Sequence, residues 1–255
     1  MMMALFHSYF FSDALERTVP FTALIPQPPS AEQSALPVLY LLHGLSDDHT
    51  AWQRWTAIER YADQRGLAVV LPDIGRSFGV DMAIGGRYGT YLGRELPAAV
   101  RWFFPVSPAP EDTFVAGLSM GGYAAFRLAL AMPRDYAAAA SLSGALDIVG
   151  AIEEDRSWRG EMRAIFGDLR RLPGGRFDLF HLAEKLARAH MPHPRFYQWC
   201  GTDDFLLEEN RRFAGHADGL GLDLTYEESP GGHNWTSWDQ QIQRVIEWLP
   251  LRHQE

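Results

Sequence analysis

A serine hydroxyl is a weak nucleophile at neutral pH. It becomes useful when a base takes its proton and a carboxylate orients the base. Three stretches of this chain offer those parts. The first is Thr113 to Phe126, which reads as a short apolar strand, the turn Gly117-Leu118-Ser119-Met120-Gly121, and an Ala-rich helix. That is the setting in which G-x-S-x-G forms a nucleophile elbow. A serine on so sharp a turn holds strained backbone, and side chains two residues to either side would collide. Gly117 and Gly121 remove those collisions, and Gly122 lets the helix pack close. Ser119 then stands at a helix N-terminus, whose partial positive charge favours a developing oxyanion. The plainer reading, a glycine-rich turn with a chance serine, has no use for the strand and helix around it.

In such an architecture the chain order is serine, acid, histidine, with the partners on loops after later strands. The histidines downstream are His181, His190, His193, His216, His233 and His253. His233 sits in Pro230-Gly-Gly-His-Asn-Trp235, after the last expected strand and before the last helix, where glycines let the loop bend back towards Ser119. His216 falls inside a helix, His253 in the C-terminal tail, and His181 and His190 in an irregular segment. His190 and His193 have a metal-like spacing, but Pro192 and Pro194 break it and no acidic cluster accompanies it. No metal or other cofactor is expected. For the acid, Gly201-Thr-Asp203-Asp204-Phe205 follows an apolar strand. Asp204, at the strand–helix corner, is the choice, with Asp203 as an exposed helix cap and Asp147 and Asp73 as outside options. Two backbone N–H donors must receive the oxyanion. Met120 supplies one and Leu45, in the loop after the strand Leu39–Leu42, the other. His43 is read as a structural loop residue. Among the aromatics of these loops, Trp52, Trp235 and Trp238 are candidates for a pocket wall, against the plainer reading of core packing.

The elements that must position these residues can be read in outline. Residues 3–11 and 17–25 are rich in aromatic and β-branched side chains and predict two strands joined near Ser12 and Asp13. Residues 26–37 read as a Pro-rich surface loop. Continuous apolar runs at 37–42, 67–72, 113–118 and 196–200 predict strands buried on both faces, and Tyr136–Gly144 reads as another. Residues 222–227 alternate like an edge strand. Helices are expected over 51–65, 94–104, 121–132, 206–220 and 238–248. Residues 74–93 form a loop with six glycines, and 150–192 interrupts the rhythm like an insertion that could roof a site. The count is about eight strands, antiparallel first and then alternating with helices, in one α/β domain over residues 1–255.

Composition narrows the partners. The 255 residues are 47% apolar and 22% charged, enough for a sizeable core. A net charge of -9 argues against nucleic acid and against anionic membrane. No apolar run approaches the ~20 residues of a membrane helix. Cys200 is the single cysteine, so no intrachain disulfide forms and nothing demands an oxidising compartment. The N-terminus lacks a basic region and a cleavage site. The expectation is a cytoplasmic protein acting on a small-molecule ester, with homo-oligomerisation left open.

With these residues in hand, the chain resembles the putative-esterase branch of the α/β-hydrolases. That branch includes esterase D and S-formylglutathione hydrolases, tributyrin-type short-chain esterases, feruloyl esterases and mycolyltransferases. The resemblance rests on the runs Leu41-Leu-His-Gly-Leu-Ser-Asp-Asp-His-Thr-Ala-Trp52, Gly117–Gly122, Cys200-Gly-Thr-Asp-Asp-Phe-Leu206 and Gly231-Gly-His-Asn-Trp-Thr-Ser-Trp238. It is nearest to the tributyrin-type carboxylesterases. It implies an α/β-hydrolase fold, a triad of Ser119, Asp204 and His233, oxyanion donors at Leu45 and Met120, and hydrolysis of short acyl esters through an acyl-enzyme. Formylglutathione hydrolases usually carry a His-Ser-Tyr-Tyr-type run at the base, where this chain has His233-Asn-Trp-Thr. A thioesterase of that type, an acyltransferase of the same family and a non-catalytic binding protein are the alternatives.

Overall fold

The computed structural model describes residues 2–27, 35–189 and 191–251. It opens with β1 (Met3–Ser12) and β2 (Arg17–Pro26), an antiparallel pair in register along its whole length. Much of the loop expected over 26–37 lies outside the described residues. Strands and helices then alternate. β3 (Val38–Leu42), α1 (Ala51–Trp55) and α2 (Ile58–Asp63) lead to β4 (Ala68–Pro72). α3 (Tyr88–Thr90) runs through a π-helical turn (Tyr91–Glu95) into α4 (Leu96–Phe103). β5 (Thr113–Leu118), α5 (Met120–Ala131) and β6 (Ala138–Leu142) follow. Next come α6 (Ile148–Glu154), α7 (Arg159–Phe166) and α8 (Leu179–Arg188), then β7 (Arg195–Gly201), α9 (Leu207–Gly219), β8 (Leu224–Ser229) and α10 (Trp235–Trp248).

These strands make one eight-stranded sheet in the order β1-β2-β4-β3-β5-β6-β7-β8. β2 meets β4 antiparallel, and every pairing from β4 to β8 is parallel. Both faces of the central strands are covered, so alternate side chains enter separate cores. Val38, Tyr40 and Leu42 of β3 join one, and Leu39 and Leu41 the other. That is why these strands read as unbroken apolar runs. A parallel sheet places all its carboxyl ends on one rim, and ligands bind in the crevice outside that rim. The loops after β3, β5, β7 and β8 carry His43 to Leu45, Ser119, Asp204 and His233.

Four expectations need correction. The helix expected over 51–65 is broken. Thr56 is extended, its hydroxyl takes the Trp52 carbonyl at 2.5 Å, and the Ala57 N–H is diverted to Asp239 Oδ1 at 2.8 Å. The helix expected from 94 begins at Tyr88 and passes through the π turn before Pro97; a wider turn is where a helix absorbs the bond that proline cannot make. α10 begins three residues early, because Asn234 caps it by accepting the Ser237 N–H at 3.1 Å. The 150–192 segment holds three helices rather than two, two of them capped by Asp147 and Asp178. Among the described residues no helix is long and apolar enough to cross a membrane.

Asp239 is thus the tie between α10 and the α1–α2 corner, since it also receives the Tyr61 hydroxyl at 3.2 Å. Asp239→Ala leaves two donors without partners. It should destabilise the chain by about 1–3 kcal/mol in urea unfolding, with turnover at 25 °C unchanged. A parental midpoint would show that the tie carries nothing.

Candidate active site

Ser119 stands between β5 and α5 with φ 53° and ψ -119°, a left-handed conformation that a non-glycine residue rarely holds. The reason lies in its neighbours. A Cβ on Gly117 would come within 2.4 Å of the Gly121 backbone, and one on Gly121 within 2.5 Å of the Leu42 carbonyl oxygen. The chain passes itself too closely there for any side chain.

His233 lies on the turn between β8 and α10. The Ser119 Oγ–H is 3.1 Å from His233 Nε2. On the far side of the ring, Nδ1–H points at both oxygens of Asp204, at 3.1 and 3.0 Å. The Asp204 carboxylate is fully buried, and the imidazole is one-fifth exposed. Burial by itself raises the Asp204 pKa. The hydrogen bonds from His233, the Leu206 N–H and the Ser143 hydroxyl outweigh it and hold the carboxyl below its usual range. An ionised Asp204 accepting from Nδ1 leaves Nε2 with a lone pair facing the serine, the tautomer that can take its proton.

The backbone of both expected oxyanion donors adjoins Ser119. Met120 is the first residue of α5, and its N–H has no acceptor within the helix. Gly44 sits against the serine, since a Cβ there would be 3.8 Å from that of Ser119. The buried His43 ring donates Nδ1–H to the Gly44 carbonyl at 2.7 Å, while its Nε2 accepts the Ile74 N–H at 3.0 Å. The carbonyl and N–H of one planar trans peptide point opposite ways. By holding the Gly44 oxygen, His43 therefore sets the direction of the Leu45 N–H.

The remaining candidates fall elsewhere. Asp147 caps α6 and pairs with Arg212 at 2.9 Å. Asp73 accepts the Gly75 N–H and lies 3.6 Å from His43. Asp203 is exposed but caps nothing; the Leu206 N–H goes to Asp204 Oδ1 at 2.9 Å instead. His216 bonds the Phe180 carbonyl at 3.1 Å, and His181 lies in the first turn of α8. His193 bonds the Pro194 carbonyl, while His190 and His253 lie outside the described residues. Cys200 is buried, and burial pushes its thiol pKa up.

Of the three tryptophans, Trp52 and Trp238 are core residues rather than pocket walls. Both are buried, and their indole N–H groups are committed to the Leu42 carbonyl at 3.0 Å and the Ser143 Oγ at 3.1 Å. Trp238 meets the His233 ring edge-on at 4.9 Å and so backs the base from behind. Only Trp235, wedged edge-on against both, keeps some surface. Two contributors went unread. Ser143, at φ 49° after β6, links Trp238 to Asp204. Phe205, 77% exposed, lies 4.6 Å from the His233 ring. A large apolar residue beside the expected acid is the signal that marks it.

The 74–93 and 150–192 segments dock on each other beside this site. Arg76 forks onto Glu161 at 2.6 and 3.0 Å, and its third nitrogen reaches the Leu45 carbonyl at 3.5 Å. The Ala83 and Ile84 N–H groups bond the Ile165 and Ala164 carbonyls at 2.9 and 2.8 Å.

Comparison with known proteins agrees with this architecture. The profile of the family described as "Putative esterase" matches residues 12–249. An acetyl esterase of Caldicellulosiruptor saccharolyticus is 33% identical over 97% of this chain and 98% of its own. The Staphylococcus aureus fluorophosphonate-binding serine hydrolase FphF superposes with a TM-score of 0.91 at 31% identity, covering 99% of this chain and 100% of that one. An S-formylglutathione hydrolase (FrmB) from the same organism gives 0.88 at 31% identity, over 98% and 99%. The fold is that of the α/β-hydrolases.

Glu209, in the first turn of α9, is a second buried carboxyl close to this site. It accepts the Leu146 N–H at 2.9 Å, and burial with Asp147 beside it pushes its pKa up to about 8. An acid whose pKa is raised on folding favours the folded state most at low pH. That advantage is whole below the ordinary value of 4.5 and is lost as pH rises to about 8. Glu209→Gln mimics the protonated form. Its stability relative to the parent should climb between those two pH values and level off above them, read by urea unfolding at a series of pH values. A difference that does not vary with pH would refute the buried titration.

Proposed function

The chain belongs to the putative esterase family, and from that premise we propose that residues 1–255 work as one α/β-hydrolase domain that hydrolyses short-chain acyl esters through Ser119, His233 and Asp204. The observation that carries this reading is the relay itself, with 3.1 Å from serine to imidazole and 3.0 Å from imidazole to a buried carboxylate. The short acyl group is favoured by the acetyl esterase that matches almost end to end.

The steps follow from the geometry. Ser119 Oγ attacks the ester carbonyl carbon as His233 Nε2 takes its proton. Asp204 stabilises the imidazolium and keeps the ring in place. The carbonyl oxygen, now negative, is received by the N–H groups of Leu45 and Met120. The tetrahedral intermediate collapses, His233 returns the proton to the departing alcohol, and an acyl-Ser119 ester remains. Water then attacks the acyl carbon as His233 Nε2 takes its proton, and the second tetrahedral intermediate collapses by breaking the bond to Ser119 Oγ, which regains the proton from His233 as the acid leaves. No cofactor or metal is required. Phe205 and Trp235 are the aromatic surfaces beside His233 that a substrate would meet, and the clasped 74–93 and 150–192 segments set how long a chain fits. An S-formylglutathione hydrolase activity is the second reading, favoured by the likeness to the Staphylococcus aureus enzyme.

The test is a series of p-nitrophenyl esters from acetate to laurate, with S-formylglutathione alongside. Turnover should be greatest at acetate to butyrate and be lost in Ser119→Ala. Asp204→Asn should lower kcat by on the order of 10³–10⁴-fold. A fluorophosphonate probe should label the parent and not the serine variant. A maximum at long chains, or dominant turnover of the thioester, would replace the short-ester reading, and a fully active Ser119→Ala would end it.

Arg76→Ala opens the clasp. An exposed pair contributes little to stability, under about 1 kcal/mol, so the unfolding midpoint should barely move. The ratio of butyrate to octanoate turnover should fall as the segments part. An unchanged chain-length profile would remove the clasp from specificity.

A further inference from the structure

The two edges of the sheet are built very differently. β8 carries Glu227 and Glu228, which pair with Arg244 at 3.4 Å and Arg211 at 2.7 Å. Charges of this kind keep an edge from pairing with another chain. β1 has no such guard. Its ten residues, Met-Ala-Leu-Phe-His-Ser-Tyr-Phe-Phe-Ser, include no Asp, Glu, Lys, Arg or Pro. One side of it bonds β2 and the other is the free edge of the sheet.

Large apolar side chains also stand exposed on both faces of this strand, although Phe10 packs on Phe21 and Tyr91 and Ser12 is buried. Tyr9 is 67% exposed and Phe11 62% on one face. On the other, Phe6 leans on Phe104 at 5.1 Å, beside the exposed Trp102 (86%) and Phe103 at the end of α4. Most of the large apolar side chains exposed among the described residues belong to these two elements. A fully exposed aromatic offers roughly 150–250 Å², so the five rings together present on the order of 600 Å² of open surface. That is at the upper end of the largest apolar patch a monomer usually leaves bare. It is also most of the ~800 Å² that each partner buries in a standard interface.

We propose that β1 pairs antiparallel with β1 of a second copy of this chain, joining two sheets across a two-fold axis. A strand paired with itself antiparallel obeys that symmetry automatically, so one patch meets its own copy. Charge selects this place for the contact. Each molecule carries a net charge of -9 and repels its copy over most of its surface, whereas β1 is an uncharged stretch at the rim. The backbone N–H and C=O groups of the free edge gain partners. Tyr9 and Phe11 meet their counterparts on one face, and the α4 rings approach on the other. Ser119, His233 and Asp204 lie on loops from the other half of the sheet, so the pairing leaves both sites open.

Sedimentation velocity of the full chain at micromolar concentration tests this directly. The expected species has twice the 28.7 kDa chain mass. Tyr9→Lys with Phe11→Lys should sediment as a monomer with parental turnover of short esters, because neither residue belongs to the site. Amide exchange of the parent gives a second reading that needs no variant. Protection of β1 should rise with protein concentration while that of β8 does not. A parent that stays monomeric overturns the proposal, even if it floats with phosphatidylcholine vesicles. So does a dimer that survives both lysines, or β1 exchange independent of concentration. None of these results depends on whether the ester reading holds.

Discussion

The left-handed backbone of Ser119 is the constraint on which the site depends. Such a conformation costs about 1–3 kcal/mol and persists only where its surroundings hold it. Here three backbone hydrogen bonds do so. Ser119 N–H donates to the Leu142 carbonyl at 3.0 Å, and the Ser119 carbonyl accepts from Tyr123 and Ala145 at 3.1 Å each. The turn is therefore fastened to β6, to its own helix and to the loop after β6 at once. The bare Gly121 that permits it also presses α5 against the carbonyls of Leu42 and His43. Through that one contact the end of β3 is brought beside the serine, and with it the Gly44–Leu45 peptide. The serine turn and the Gly44–Leu45 peptide are thus placed by a single packing event, which is why the glycines on both loops are needed together.

A similar closeness joins the other half of the site. A Cβ on Gly201 would come within 2.1 Å of the Gly231 carbonyl oxygen, which accepts the Asp203 N–H at 2.9 Å. The Asp204 loop and the His233 loop thus lie directly on each other after β7 and β8. The acid and base are held in register by the backbone before any side chain meets. The Trp238 to Ser143 to Asp204 chain then fixes the carboxylate from behind.

Much of this was legible because it rests on local rules. Buried parallel strands announce themselves as apolar runs, and the serine turn by its glycines, so the sheet and the chain order of Ser119, Asp204 and His233 could be read from spacing. What could not be read depends on contacts distant in sequence. The break at Thr56 exists because Asp239, 182 residues away, takes the Ala57 N–H. The 74–93 and 150–192 segments have few signals of their own, since each is shaped by the other through Arg76, Glu161 and paired backbone groups. Sequence leaves open whether Trp52 and Trp238 pack in the core or face a pocket for a related reason. A tryptophan beside a functional loop looks the same in sequence whether it faces ligand or core, and here the acceptors that draw the indoles inward belong to β3 and to the turn after β6.

Two buried carboxyls, five residues apart, show how the site keeps its charge in order. Asp204 receives hydrogen bonds from His233, Leu206 and Ser143, and its pKa falls despite burial. Glu209 is as deeply buried, but it faces the carboxylate of Asp147, and its donors are the backbone N–H groups of Leu146 and Asp147, with Arg212 acting from farther off. Burial and like charge win there, and its pKa rises to about 8. Neighbouring carboxyls driven apart in this way take different roles. At neutral pH Asp204 is the charged group and Glu209 is mostly neutral. The carboxylate that His233 meets through Nδ1–H is thus the charged one. Protonated, Glu209 still accepts the Leu146 N–H, so the first turn of α9 secures the loop after β6 while Asp204, on the loop after β7, carries the charge that faces His233.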